Sequence, residues 1–185
     1  MFLVLAGLVW FFFLPKQTEI NGTNDLNMTN EINKPELKIS SPAFENGQPM
    51  PAKYTCDGEN INPPLSIKGV PKGAQSLALV MDDPDAIKPA GKIWDHWVVW
   101  NMPETATEIA EGEEPEGVHG RGTRGGLEYQ GPCPPDARHT YFFKLYALDA
   151  KLSLKEGATK LDLEQAMAGH ILSQSELTGT YERKR

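Results

Sequence analysis

From Leu37 onward, glycine, proline, asparagine and aspartate interrupt the chain every few positions, and the apolar runs between them are short. Runs of that length, when rich in β-branched and aromatic residues, suit strands better than helices. Ser76–Met81 is a compact apolar run that stops at Asp82-Asp83-Pro84; Ile93–Trp100 and Tyr141–Leu148 are further strand-favouring runs. One segment has the helical period: behind Asp162, the residues Leu163, Ala166, Met167 and Ile171 form one stripe, and Gln165 completes a capping-box-like start. His170, beside that stripe, reads as structural or exposed. The expectation is a mainly-β domain over residues 37–185, with late helical decoration.

A chain of 185 residues holds one domain with appendages. A domain of about 150 residues buries roughly two thirds of its unfolded surface and needs no metal to fold. The net charge of -7 and pI of 5.1 argue against a nucleic-acid partner, because phosphate backbones are gripped by clustered Lys and Arg. Glu104–Glu116 carries six glutamates and no basic residue, and reads as a solvated loop.

Residues 1–15 are different. Met1–Leu14 has no charged residue, yet it is shorter than the roughly 17–20 residues a membrane crossing needs. Its length suits the core of a signal peptide, but no basic residue precedes it and no small-x-small cleavage site follows. An uncleaved membrane anchor and an atypical signal peptide both remain open. Residues 16–36 form a polar, Asn/Thr-rich linker with acceptor tripeptides at Asn21 and Asn27. Either reading places the domain outside the cytoplasm, secreted or tethered to the membrane.

Catalytic templates are weak. Gly120-Arg-Gly-Thr-Arg-Gly125 has the spacing of a dinucleotide-binding loop but lacks the flanking strand and helix, and reads as a surface turn. Neither a Gly-x-Ser-x-Gly elbow nor a His-Glu-x-x-His pair occurs. What remains is a constellation of Asp82, Asp83 and Asp85 around Pro84, His96 within Trp94–Trp97, and Gly131-Pro-Cys-Pro-Pro135 followed by His139 and Tyr141. Imidazoles can donate to an anion, backbone amides of a rigid turn can cradle oxyanions, and a carboxylate can hold a His proton or an ammonium. The plainer alternative is an Asp-Pro-Asp turn with histidines satisfied in core strands. A second alternative is a metal-dependent hydrolase with Asp83, Asp85, His96 and His139 as ligands, but no spacing here points to a metal geometry. No cofactor is expected.

Six segments appear in order: Tyr54–Asn60, Pro63-Pro-Leu65, Asp82–Asp85, His96-Trp97, Gly131–Pro135 with His139–Tyr141, and Gly169–Leu172 with Leu177–Tyr181. Together they resemble the prokaryotic, Raf kinase inhibitor-like branch of the phosphatidylethanolamine-binding protein family, over about residues 37–181. The resemblance implies a large central antiparallel sheet, a smaller second sheet and a few helices. It implies a non-enzymatic binding protein with an anion pocket for phosphate-type or phospholipid head-group ligands, with serine-protease inhibition or signalling modulation as further roles. Carried over by motif, the ligand-binding residues are Asp83, His96, Gly131, His139 and Tyr141, with Pro132 shaping the turn. Two departures fall at the rim: Ile87 replaces a proline, with Pro89 displaced, and Thr140 stands where the family has arginine.

On this reading His96 and His139 donate to the ligand, assisted by backbone amides near Gly131. Asp83 orients one imidazole, raises its pKa, or accepts from an ammonium. Affinity for phosphate then rises as pH falls through about 6 to 7. Cys56 and Cys133 lie in segments flanking the pocket, so they form either a disulfide or two buried thiols.

Overall fold

The computed structural model describes residues 36–184, so the readings of residues 1–15, of the linker and of Asn21 and Asn27 lie outside the described residues. In chain order the elements are β1 (Lys38–Ser40), β2 (Gln48–Pro49), β3 (Leu65–Lys68), β4 (Ser76–Asp83), α1 (Ile87–Ala90), β5 (Trp94–Met102), β6 (Glu108–Ile109), β7 (Val118–His119), β8 (His139–Leu148), α2 (Lys160–Met167) and β9 (Ile171–Tyr181). Single 3₁₀ turns occur at Ala52–Tyr54 and Pro84–Ala86. The large sheet has the order β2-β9-β8-β4-β5-β7 and the small one β1-β3-β6. All pairings are antiparallel except β2 with β9. The domain is mainly β with two sheets, as expected from its short, punctuated runs.

Strand β4 explains why Ser76–Met81 is apolar without alternation: all eight residues of β4 are buried. Leu77, Leu79 and Met81 face the small sheet, packing with Ile39, Leu65, Ile67 and Ile109 in one cluster. Ala78 and Val80 face the other way, with Val98, Trp100, Leu163 and Met167 beneath α2. A strand covered on both faces has no solvent side to mark with polar residues. Strand β8 is covered less evenly: Tyr141, Phe143, Leu145 and Ala147 are buried, while Thr140, Phe142, Lys144 and Tyr146 are partly exposed.

The helix differs from its expected boundaries. Thr159 is the N-cap: its hydroxyl accepts from the Asp162 amide at 3.2 Å, and Asp162 accepts from the Thr159 amide at 2.8 Å. Asp162 is therefore the third helical residue rather than the cap, and a threonine hydroxyl with a carboxylate three residues on closes both ends of the box. The helix stops at Met167, ahead of Gly169 in the left-handed region at φ 83°. Ile171 thus begins β9 and is exposed. His170 lies in the turn between them, exposed and 2.8 Å from Asp149.

The glutamate-rich segment is not merely a solvated loop. Glu114 accepts from the Trp97 indole at 2.7 Å and the Tyr129 amide at 2.8 Å, and lies 3.4 Å from His119. Glu111 accepts from the Tyr54 hydroxyl at 2.6 Å and from Lys53 at 2.7 Å. No helix among the described residues is long and apolar enough to cross a membrane.

Helix α2 is tied to the large sheet by charge as well as packing. Asp82 is fully buried, opposite Asp95 in the β4–β5 register. Like charges opposite one another repel. Lys160, in the first turn of α2, answers both: its ammonium is 2.7 Å from Asp82 and 3.1 Å from Asp95. Lys144 adds a second cation 2.8 Å from Asp82. Asp82→Asn, which leaves Lys160 without its buried counter-charge, should destabilise the domain by about 3 kcal/mol. Lys144→Met, losing a partly exposed partner, should cost less. Urea denaturation checks both, as a fall in midpoint at unchanged slope.

Candidate functional site

Asp83 closes β4, where Pro84 prevents the ladder from continuing. One carboxylate oxygen accepts from the Ala86 amide at 3.2 Å, capping the Pro84–Ala86 turn that leads into α1. The other accepts from Nδ1 of His139, at the start of β8, at 2.7 Å. Asp85 accepts from the Thr140 amide at 2.7 Å. The Asp-Pro-Asp turn and the carboxylate–imidazole pair are therefore one structure.

His139 is bonded at both nitrogens, because its Nε2 lies 3.0 Å from Asp136. Burial disfavours the charged ring, but the bonds to Asp83 and Asp136 outweigh it and hold the pKa above the usual histidine value. Burial also lifts Asp83, with the bond to His139 opposing, so the two titrate as a unit.

His96, on β5, is built differently. Its Nδ1 lies 2.6 Å from the Gln130 carbonyl oxygen. A carbonyl only accepts, so Nδ1 carries the hydrogen. Burial drives the pKa down to about 4, the Gln130 carbonyl opposing and Arg124 adding to the fall. At neutral pH His96 is uncharged, and its buried Nε2, which has no hydrogen-bond partner, is a bare acceptor. The expectation that both histidines donate is corrected here: burial and the tautomer make His96 an acceptor. Tyr141, fully buried, places its ring edge-on to His96 at 5.3 Å and stacked on His139 at 6.4 Å. Its hydroxyl has no partner, and burial keeps it protonated far above the usual range.

A cavity of about 170 Å³ opens in front of these groups. Asp83, His96 and His139 line it, with Arg124 and Trp94, the α1 side (Ala86, Pro89, Ala90) and Cys133, Pro134 and Pro135. Tyr141 packs behind the imidazoles. Gly131 and Pro132 are not among the lining residues and belong instead to a strap, residues 129–133, held against residues 54–60. Cys56 and Cys133 are disulfide-bonded, the Cys56 amide donates to the Pro132 carbonyl at 3.0 Å, and the Tyr129 hydroxyl donates to the Tyr54 carbonyl at 2.8 Å. The Gly131 amide donates to Asn60 at 2.9 Å, so it is committed there and does not serve the cavity. A Cβ at Gly131 would sit 2.4 Å from the Tyr54 carbonyl oxygen, so glycine is required for close approach of the two segments.

Two groups escaped the sequence reading. Arg124 comes from the glycine-rich turn: Thr123 exchanges bonds with the backbone of Asp95 at 2.9 and 2.8 Å, which pins the turn beside His96. Asp136 stands three residues before His139, a spacing that in an extended segment signals nothing by itself. The donors for the hydrolase alternative are spoken for, since both nitrogens of His139, Nδ1 of His96 and one oxygen of Asp85 bond within the protein. Among the described residues no three His, Cys, Asp or Glu side chains converge as a metal site.

Two packed, largely antiparallel sheets with a small cavity at one sheet end, mostly apolar with a few polar groups, make a mainly-β domain with a candidate binding cavity. The profile of the phosphatidylethanolamine-binding protein family matches residues 40–182, and the chain belongs to that family. A UPF0098 protein of Chlamydia pneumoniae is 49% identical over 149 residues, covering 80% of this chain and 99% of its own length. A UPF0098 protein of Methanothermobacter thermautotrophicus is 48% identical over 153 residues, with the same coverage of 80% and 99%. Among solved structures, a phosphatidylethanolamine-binding protein homologue from Chlamydia trachomatis matches at TM-score 0.77 and 45% identity, over 81% of this chain and 99% of its own. Escherichia coli YbcL matches at TM-score 0.74 and 31% identity, over 80% and 99%.

The disulfide closes a loop between residues 77 positions apart. In the chain-entropy treatment, Cys56→Ser/Cys133→Ser should lose about 4 kcal/mol of unfolding free energy, measured by denaturation of oxidised parent and variant. His96 gives a pH signature. It is protonated near 6.5 when unfolded but only near 4 when folded, so the unfolded state binds more protons between those values. Stability from this group is present above pH 6.5 and is lost as pH falls through 4. The loss amounts to about 3 kcal/mol. His139 contributes with the opposite sign, its stabilisation fading as pH rises through its elevated folded value. His96→Asn, whose amide can keep the bond to Gln130, should therefore flatten the acid limb of the stability profile by about 3 kcal/mol relative to the parent.

Proposed function

We propose that this protein is a non-enzymatic binding protein whose cavity takes a small oxyanion: a phosphate-type group, free or as part of a phospholipid head group. The observation that carries this reading is the set of groups around one cavity. Arg124 is exposed at its mouth and has no carboxylate partner among the described residues. His96 Nε2 and the Tyr141 hydroxyl are buried beside it without partners. Buried polar atoms are rarely left unpaired unless something else supplies the bond. A volume near 170 Å³ is well below the roughly 300–1,000 Å³ of drug-sized sites, so a head group fits and an acyl chain does not.

Several features weigh against catalysis. No serine, threonine or lysine lines the cavity, and Cys133 is in a disulfide. His139 is bonded at both nitrogens and has no lone pair to offer as a base. An extracytoplasmic placement, suggested by the apolar run Met1–Leu14, is supported by the Cys56–Cys133 disulfide, since such bonds persist in oxidising compartments.

Isothermal titration with inorganic phosphate near neutral pH tests the reading. Arg124→Ala and Tyr141→Phe should each weaken binding by roughly ten- to a hundredfold, the loss expected for one charge-assisted hydrogen bond, without unfolding the domain. Parent-like affinity in both variants would place the ligand elsewhere.

A further inference from the structure

We propose that Asp136 is a competitor, built into the chain, for the cavity's ligand: its carboxylate occupies Nε2 of His139, and an oxyanion binds by taking that hydrogen bond while Asp136 turns out to solvent. This rests on the reading of the cavity as an oxyanion site and adds to it the residue that sets the affinity.

Two carboxylates hold the His139 ring, and only one of them can leave. Asp83 is buried, takes Nδ1 at 2.7 Å and also accepts from the Ala86 amide, so moving it would undo the turn into α1. Asp136 takes Nε2 at 3.0 Å with a side chain that is 39% exposed. It lies in an exposed run, residues 135–138, that belongs to no strand or helix, and it stands between the cavity-lining Pro135 and His139. Exposed ion pairs contribute little to stability, so giving this one up costs the fold little.

The place that Asp136 holds suits an oxyanion because a carboxylate is one. An imidazolium donates from both nitrogens, so Nε2 of His139 offers a charged N–H. That bond, helped by the amides of Ala137 and of Asp136 itself, holds the Asp136 carboxyl below the usual aspartate range. A cationic ring and turn amides that converge on one carboxylate present the same donors to a phosphate oxygen. Charge points the same way. Asp83 and His139 offset one another, and Arg124 is the further cation lining the cavity. An anion that enters while Asp136 stays meets a second negative charge at the same proton. Once Asp136 has turned away, that repulsion is relieved and the Nε2 hydrogen is free to be taken.

Calorimetry at about pH 6, below the ordinary histidine value of about 6.5, compares the parent with Asp136→Ala and Asp136→Asn; Asp83 remains in all three to keep His139 protonated. The probes are inorganic phosphate and glycerophosphoethanolamine, the acyl-free diester of a phospholipid head group. Asp136→Ala should bind the preferred probe roughly tenfold more tightly than the parent does, the worth of freeing one charge-assisted hydrogen bond. Asp136→Asn should fall between them, because its amide oxygen still competes but without the charge. Whichever probe binds more tightly identifies free phosphate or a head group as the source of the oxyanion. Thermal unfolding confirms that both variants fold, and Arg124→Ala should weaken binding with or without Asp136. A crystal structure of the parent with the preferred probe should show a probe oxygen at Nε2 of His139 and the Asp136 carboxylate turned away. Binding by Asp136→Ala no tighter than by the parent, or a complex in which Asp136 keeps its bond to Nε2, overturns the displacement, while the loss in Arg124→Ala still upholds the oxyanion cavity. If neither probe binds any of these proteins, the oxyanion reading fails with it.

Discussion

Two consecutive carboxylates, Asp82 and Asp83, end a strand whose every residue is buried. Because side chains alternate across a strand, neighbours in sequence go to opposite faces of the sheet. A buried carboxylate must be neutralised or bonded on whichever face it meets. Asp82 finds Lys160 and Lys144, and that requirement places the first turn of α2 on the sheet. Asp83 finds His139 and the Ala86 amide, which places the start of β8 and the turn into α1 around the cavity. Both faces of the domain are thus organised from one strand end, where the ladder stops and backbone turns away at Pro84.

The cavity draws its shape from residues that do not line it. Gln130, Gly131 and Pro132 hold the loop before β8 against residues 54–60 through backbone bonds, Asn60 and the disulfide. Glu114 braces the same region from below by taking the Trp97 indole and the Tyr129 amide, each already packed edge-on in the core. Among the buried polar atoms left without a hydrogen-bond partner are the Gln130 side-chain oxygen in this strap and, beside the cavity, His96 Nε2 and the Tyr141 hydroxyl. Locking one nitrogen of His96 to a backbone carbonyl leaves the other, itself buried, as an acceptor without a partner.

Much of the fold was legible because strand signals are local. The apolar run of β4, the aromatic run of β5 and the alternation in β8 each follow from period and composition, and Asp83, His96 and His139 were recognisable as polar residues at strand ends. Signals that depend on distant partners were not legible. The start of α2 was placed three residues late because Asp162 is a plausible cap on its own; Thr159 accepting from its amide decides otherwise. Glu111 and Glu114 looked like solvent-facing charge because nothing in their neighbourhood announces Tyr54 or Trp97. Arg124 sat in a turn without regular structure, and only the bonds between Thr123 and Asp95 carry it to His96.

Periodicity, turn residues and ordered motifs by themselves determined the mainly-β class, the family and the short set of acidic and imidazole side chains that could form a site, since each is a property of residues close together along the chain. The tertiary structure decided what those side chains do. His96 and His139 are the same residue type at similar strand ends, yet one meets a backbone carbonyl and the other two carboxylates. A carbonyl fixes a neutral tautomer and exposes a lone pair; two carboxylates hold an imidazolium with no lone pair left. That difference is set by atoms more than thirty positions away from His96 and more than fifty from His139 in the pairs that matter most, Gln130 and Asp83, and no local pattern carries it.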